Sequence, residues 1–256
     1  MGAVSAFKKF LSLLAPKKKK PSFTSAVIVA GGSSTRMGDG VSKQLVKICG
    51  IPAVVHSLLA FEKAPEIKEI IVVAKQEELE LYRDFKKTYN LTKFKKAVSG
   101  GDTRQRSVEK GVAVISEKSN YVAIHDAARC LITTEEISAV CQQAYIYEAA
   151  TAAVKAVDTV KLANSAGFIE STPDRNCVWH AQTPQVFFAD LYRAAIAVAN
   201  RDNVTATDDC SLVENIEHPI KLVECSRENI KITTPSDVAI ATATIKARVA
   251  KKEKKQ

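Results

Sequence analysis

Short apolar runs alternate with amphipathic segments from Ser22 onward, and this alternation constrains the fold more than any other feature. The run AVIVA, residues 26 to 30, is typical of a buried strand, and residues 70 to 74 and 121 to 125 repeat it. The segments between them carry apolar residues at helical spacing. Strand, crossover helix and strand in repetition predict a mostly parallel, twisted sheet covered on both faces, in an α/β domain.

Helix start signals fix several of the intervening helices. Thr133 and Glu136 have the spacing of a capping box, and Pro235 after Thr234 suits the first turn of the last helix. The other predicted helices follow Pro52 or cover residues 77–89, 104–115 and 189–199, and further strands are expected near Ala97 and at 220–224.

The alternation stops between about residues 157 and 179. This segment has no helical period, and β-like runs flank residues 164 to 167, which predicts a projecting β-hairpin, or arm. The arm carries Val160, Phe168 and Ile169, which would be costly to leave in water. We therefore expect the arm to pack against a second copy of the chain.

The formal net charge of +9 is concentrated at the two ends. Residues 1–21 carry +6 and residues 251–256 carry +3, so residues 22–250 are neutral as a whole. We predict a basic N-terminal tail, one main domain over 22–250 and a basic C-terminal tail. A neutral domain lacks the basic stripe of a nucleic-acid binder. We expect the N-terminal tail to be solvated and disordered, and the alternative is a short basic amphipathic helix for a membrane surface or a partner.

The six cysteines form no CxxC pair and no zinc-site spacing. The apolar stretch of residues 10–15 is too short for a signal peptide, and no run reaches the length of a membrane span. The sequence therefore predicts a cytoplasmic protein.

Ligands of open α/β sheets bind at the carboxyl ends of the strands, and the first strand is followed there by AGGSSTRMG, residues 30–38, and then by Lys43. Small residues let backbone amides approach phosphates, and Arg36 and Lys43 add positive charge. The loop matches neither GxxxxGK[ST] nor GxGxxG. A purely structural turn is the alternative.

Three later loops carry further polar residues. SGGDTRQRS, residues 99–107, suits contacts to a base or phosphate, or else caps a helix. Asp126 ends an apolar strand and is placed to bind Mg²⁺, or else to cap a turn. Lys231 alternates with Ile230 and Ile232, so it points away from them, toward the cleft. His125 and His180 lack a nucleophile-elbow partner and are interpreted as structural.

Taken in order, these segments resemble one family. The motifs are AGGSSTRMG with SKQ, GGDTRQRSV, HDAAR, WHAQTPQVF, TDD and NIKIT. They are similar to those of the 2-C-methyl-D-erythritol 4-phosphate cytidylyltransferases of the non-mevalonate isoprenoid pathway. The resemblance spans about residues 26 to 245 and implies a single Rossmann-like nucleotidyltransferase domain that transfers CMP from CTP to a polyol phosphate.

The resemblance also implies roles for individual residues. Arg36, Lys43 and Lys231 would stabilise the reacting phosphates, and Asp126 would bind Mg²⁺ or another divalent cation. Arg129, Thr159 and Arg175 would contact the second substrate, the latter two across a homodimer formed by the arm. The cytosine nucleotide would lie against Ala30, Gly31, Gly32, Ser34, Gly101, Asp102, Arg104 and Ser107.

The chain departs from the family pattern at a few positions. Ser34 replaces a glycine, Gly31 an alanine, Ser42 the proline of PKQ, and Cys130 the proline of HDAARP. Two alternatives remain open. A ribitol-5-phosphate cytidylyltransferase shares the first loop but tends to replace the two alanines of HDAAR, and a basic binding module would use the lysine tails instead.

Overall fold

The structure is a computed structural model that describes residues 22–32 and 42–253. Its strands are β1 (Thr24–Val29), β2 (Lys47–Ile48), β3 (Ile51–Pro52), β4 (Ile67–Ala74), β5 (Phe94–Ser99), β6 (Tyr121–Asp126), β7 (Ala149–Lys155), β8 (Leu162–Ala163), β9 (Ile169–Ser171), β10 (Trp179–Phe188) and β11 (Lys221–Glu224). Its α-helices are α1 (Ala53–Lys63), α2 (Leu79–Thr88), α3 (Arg104–Val112), α4 (Thr134–Tyr147), α5 (Ala189–Asp202), α6 (Asp209–Glu214) and α7 (Pro235–Glu253). Short 3₁₀ turns cover Lys43–Leu45, Gln76–Glu78 and Arg175–Cys177.

Seven strands form the central sheet in the order β11-β7-β10-β6-β1-β4-β5. The pairs that β1 makes with β4 and β6 are parallel, as are those of β4 with β5 and of β7 with β11. Only β10 runs against its neighbours among the strands of this sheet. The predicted mostly parallel α/β architecture is confirmed.

Helices cover both faces of the sheet. Ile28 of β1 packs in a core cluster that includes residues of α1, α2 and α4, whereas the adjacent Val27 packs in a second cluster with residues of α3, α5 and α6. Alternate side chains of one strand thus enter opposite cores, which explains why the parallel strands are continuous apolar runs. A smaller cluster holds α7 near the carboxyl end of β6 through Leu131, Ile232 and Ala241.

Close packing of α3 on the sheet depends on Gly111. A Cβ added there would lie 2.5 Å from Cγ1 of Val27 and 2.7 Å from Cγ2 of Val73. Any side chain would push α3 away from the strands. The C-terminal turn of α3 is therefore packed directly against β1 and β4.

The helix start signals are confirmed. Thr133 and Glu136 form the capping box of α4, and α7 begins at Pro235. Sequence reasoning assigned no structure to β7, to most of β10 or to α6. β7 is AATAAVK, poor in the residues that favour strands, and β10 contains Pro184, where its register with β7 is interrupted. The six residues of α6 are too few to show a helical period.

The arm is a hairpin, as predicted. β8 and β9 pair antiparallel around the turn at residues 164–167. Phe168 is 71% exposed and Ile169 is 64% exposed, while Val160 is half-buried. In a single chain the tip of the arm therefore leaves large apolar side chains in water.

The helices that the structure describes include none with the length and apolar character needed to cross a membrane. The N-terminal tail lies outside the described residues, and so do both interpretations of it, a solvated tail and an amphipathic helix.

Candidate active site

A cavity of about 420 Å³ lies at the carboxyl edge of the sheet. In the parallel register Val29 stands beside Val73 of β4 and Asp126 of β6, so these strands end at the same level. The loops that follow them meet around one space, as open α/β sheets dictate. The cavity is lined by Val29, Ala30, Gly31, Gly32, Lys43, Gln44, Lys75, Gly101, Asp102, Thr103, Arg104, Ser107, Asp126, Ala127, Ala128 and Lys231.

The first loop enters this cavity at Ala30. The amide of Ala30 donates to the carbonyl of Val73 at 2.7 Å, which ties the start of the loop to β4. Ala30, Gly31, Gly32 and Lys43 line the cavity as expected. Residues 33–41 are outside the described residues, and the predictions for Ser34 and Arg36 fall there.

The second loop is folded onto the N-terminus of α3. Ser107 Oγ accepts from the amide of Gly101 at 3.0 Å and donates to the carbonyl of Thr103 at 2.9 Å. A Cβ on Gly100 would lie 2.8 Å from that hydroxyl, so glycine is needed for this close approach. Ser107 thus holds the loop in shape, in addition to lining the cavity.

Charged side chains meet where β6 ends. Asp126 Oδ1 accepts from Arg104 Nε at 3.1 Å, and Asp126 Oδ2 accepts from Lys231 Nζ at 2.6 Å. Arg104 Nη2 also donates to Asp209 Oδ2 at 2.7 Å, and Tyr192 donates to Asp209 Oδ1 at 2.7 Å. This network joins four parts of the chain far apart in sequence.

The network fixes the charges of its members. Burial opposes ionisation of Asp126, but the Arg104 guanidinium and the Lys231 ammonium hold the pKa of its carboxyl well below the usual range. Burial likewise opposes the charge of Arg104, yet Asp209 and Asp126 hold the pKa of its guanidinium above the usual range. A carboxylate and two cations therefore face the cavity together at neutral pH.

A smaller cavity of about 160 Å³ shares Arg104, Asp126 and Lys231 with the first. Arg129 also lines it, donating from Nη1 to the carbonyl of Asn229 at 2.8 Å. The Nε of Arg129 is buried and has no hydrogen-bond partner in the part of the chain that the structure describes. The two cavities are adjacent compartments that have these three charged residues in common.

The structure thus places most of the predicted residues together. Lys43, Lys231, Asp126 and the described nucleotide contacts line the first cavity, and Arg129 lines the second. Thr159 and Arg175 lie on the exposed arm and line neither cavity of their own chain. There Arg175 Nη1 donates to the carbonyl of Val157 at 2.8 Å.

Sequence reasoning missed several cavity residues. Lys75 directly follows β4, so the rule about carboxyl ends of strands could have found it. Asp208 and Asp209 belong to the TDD motif, to which the sequence analysis assigns no role. Gln182, Thr183 and Gln185 belong to β10, which was not predicted as a strand.

A mostly parallel sheet whose carboxyl edge carries glycines of two loops and a carboxylate beside two cations suits a nucleotide and its phosphates, which are the substrates of nucleotidyltransferases. The model of the family IspD, 2-C-methyl-D-erythritol 4-phosphate cytidylyltransferase, matches residues 24–247. The chain belongs to this family.

Individual relatives agree with the family match. The chain is 44% identical to the 2-C-methyl-D-erythritol 4-phosphate cytidylyltransferase of Caldanaerobacter subterraneus subsp. tengcongensis, over 85% of this chain and 96% of that protein. It is 43% identical to the enzyme of the same name from Desulforamulus reducens, over 87% and 96%. The crystal structure of 4-diphosphocytidyl-2C-methyl-D-erythritol synthase from Anaerococcus prevotii superposes with a TM-score of 0.80, at 28% identity, covering 88% of this chain and 97% of that one.

Proposed function

We propose that the chain transfers CMP from CTP to 2-C-methyl-D-erythritol 4-phosphate. A phosphate oxygen of the polyol substrate attacks the α-phosphorus of CTP, and the bond from that phosphorus to the oxygen bridging to the β-phosphate breaks. The products are 4-diphosphocytidyl-2-C-methyl-D-erythritol and pyrophosphate, in the synthesis of isoprenoid precursors. Family membership over residues 24–247 supports the proposal.

The observation that carries the proposal is the pair of compartments that share Arg104, Asp126 and Lys231. The phosphate of the second substrate must approach the α-phosphorus of CTP, although both molecules are anions. Cations must therefore offset the repulsion between the two sets of phosphates. The nucleophile is already an anion, so no general base is required. This agrees with His125, the histidine next to Asp126, being fully buried and lining neither cavity.

The larger compartment suits the nucleotide. Gly31, Gly32 and Gly101 leave room and backbone amides for phosphates, and Lys43 and Lys231 line the same cavity and supply positive charge. Ala127 and Ala128 are buried and form part of the wall. The same two alanines distinguish the HDAAR motif from that of ribitol-5-phosphate enzymes, so they also favour methylerythritol phosphate as the second substrate.

The smaller compartment suits the phosphate of the second substrate. Arg129 donates to main-chain carbonyls, its Nε is buried without a partner among the described residues, and burial lowers the pKa of its guanidinium. A phosphate would supply the missing negative charge and accept from the planar guanidinium.

A divalent cation fits Asp126 as a single protein ligand. Within residues 22–32 and 42–253, no group of three His, Cys, Asp or Glu side chains is arranged to hold a metal. Mg²⁺ commonly takes one or two carboxylates and completes its coordination with phosphates and water. Asp126 is ionised, and a carboxylate has four lone-pair positions, of which Arg104 and Lys231 use two. A bound Mg²⁺ would neutralise phosphate charge.

A homodimer formed through the arm is part of the proposal. The exposed Phe168 and Ile169 would be buried against a second copy, and Thr159 and Arg175 would approach the partner's smaller compartment. The cytoplasmic location and a membrane-surface role for the N-terminal tail stay predictions.

The test is pyrophosphate release by the purified protein with CTP, Mg²⁺ and each polyol phosphate in turn. We expect turnover with methylerythritol phosphate and none with the polyol omitted. Turnover with ribitol 5-phosphate and none with methylerythritol phosphate would show that the protein is a ribitol-5-phosphate cytidylyltransferase instead. Removal of residues 1–21 and 251–256 should leave the activity unchanged, whereas a basic binding module would lose vesicle or nucleic-acid binding without showing turnover.

A further inference from the structure

We infer that Thr183 and His125 are positioning residues that set the distance between Asp126 and Arg129, and hence between the two compartments. This inference rests on the proposed function, because it concerns how that site is held. It goes beyond the charged side chains to the neutral groups behind them.

The evidence is a chain of hydrogen bonds whose directions are fixed. His125 Nε2 lies 3.2 Å from the carbonyl oxygen of Arg129, and a carbonyl can only accept, so Nε2 carries the proton. His125 Nδ1 must then accept, and Thr183 Oγ1, 2.9 Å away, donates to it. The remaining lone pairs of Thr183 Oγ1 face the amide of Asp126, which donates at 3.1 Å.

The hydrogen-bond chain is buried. His125 is fully buried, Thr183 is 5% exposed, and the ring of Phe61 packs against the imidazole with centroids 4.9 Å apart. Water therefore does not compete for these hydrogen bonds, and each group depends on the partner that the fold gives it.

The chain ties together segments that carry reacting groups. Thr183 is on β10, Asp126 ends β6, and Arg129 lies in the turn after it. Asn229 adds a second link, since its side-chain amide donates to the carbonyl of Thr183 at 3.0 Å while its own carbonyl accepts from Arg129. Asn229 lies two residues before Lys231. Through Thr183, β10 is therefore linked to the backbone of Asp126 and, through His125 and Asn229, to the segments of Arg129 and Lys231.

Thr183 is the better residue to test, because valine has nearly the same shape and lacks the hydroxyl. Loss of the hydroxyl leaves the amide of Asp126 and Nδ1 of His125 without partners. Their segments should shift, and a shift of about 1 Å near reacting groups can cost about 100-fold in rate. We expect Thr183→Val to lower kcat by about 10-fold or more at saturating substrates, with a smaller change in KM for CTP.

Two variants separate positioning from general loss of structure. Thr183→Ser keeps the hydroxyl and should recover kcat to within about threefold of the wild type. Thr24→Val removes another buried threonine hydroxyl, which bonds to Tyr145 far from the cavities, and should keep wild-type kcat per folded molecule. Wild-type kcat in Thr183→Val, failure of Thr183→Ser to recover, or an equal loss in Thr24→Val would overturn the inference.

A measurement that does not depend on catalytic activity tests the hydrogen-bond chain separately from the proposed function. Nitrogen-15 NMR of histidine-labelled protein should show the proton of His125 on Nε2, and the Nδ1 resonance should move in Thr183→Val. A proton on Nδ1 would overturn the positioning chain. An inactive wild type with the expected histidine spectrum would instead refute the proposed function alone.

Discussion

The edge of the sheet and the arm are built in opposite ways. At the edge, Asp126 is 8% exposed and each of its carboxylate oxygens has a named cation within 3.1 Å. On the arm, every residue from 161 to 172 is exposed, and Arg175 donates to a main-chain carbonyl of the arm itself. The edge pairs the charge of Asp126 within a single chain, whereas the arm leaves large apolar side chains exposed.

This difference separates what each chain can do alone from what requires a partner. The larger cavity is lined by glycines, cations and a carboxylate of one chain. The smaller cavity has Arg129, but the predicted contributions of Thr159 and Arg175 require another chain. Substitutions at the edge should therefore impair the site of the chain that carries them. Substitutions in the arm should impair the site of the partner chain.

The largest effect is expected from Lys43→Ala. Lys43 lines the larger cavity, where we propose that the nucleotide binds, and loss of one group that stabilises transition-state charge costs about 100-fold or more. Steady-state kinetics should show this loss with little change in thermal unfolding. Lys47→Ala, an exposed lysine on β2, is the matched control. A near-wild-type rate in Lys43→Ala would remove that residue from the mechanism.

A smaller effect is expected from Asp126→Asn. The amide keeps the shape but loses the charge, so activity should fall about 10-fold or more and the Mg²⁺ concentration for half-maximal rate should rise. Arg104 retains Asp209, so the fold should persist. Asp190→Asn, at an exposed ion pair on α5, serves as control. Full activity with an unchanged Mg²⁺ requirement would place the metal ligand elsewhere.

The smallest effect on turnover is expected from the double substitution of Phe168 and Ile169 by serine. Each buried apolar side chain contributes about 1.5–3 kcal/mol. The dissociation constant of the variant dimer should therefore be higher than that of the wild type. Activity should be lost only on dilution, and sedimentation velocity should follow the same concentration dependence. Ile240→Ser removes an exposed apolar side chain on α7 and should change neither. Dimers of unchanged stability would refute the arm interface.

Much of the fold could be predicted because its parallel strands are buried on both faces and are therefore continuous apolar runs. The exceptions have physical reasons. β7 is built from alanines, since α4 packs on it and β10 and β11 flank it, and small side chains weaken the sequence signal for a strand. Pro184 lies where the pairing of β10 with β7 is interrupted, a position a single sequence cannot reveal.

The site was predictable where its residues directly follow strands or belong to ordered motifs. Ala30, Asp126 and Lys231 were found in this way. Asp209 was not predicted, because its role is to accept a hydrogen bond from Arg104, which is 105 residues away in the sequence. His125 was interpreted as structural, and only the distances to Thr183 and Arg129 reveal the hydrogen-bond chain.

The contrast between edge and arm is tested most directly by complementation. Lys43→Ala and Arg175→Ala chains are co-expressed with different tags, and the heterodimer is purified. In a two-fold dimer with shared sites, one of its two sites contains both Lys43 and Arg175 intact. The account predicts about half the wild-type activity per heterodimer, well above either parent homodimer. Heterodimers of proven composition with no activity above the parents would contradict it, as would a monomer at the working concentration.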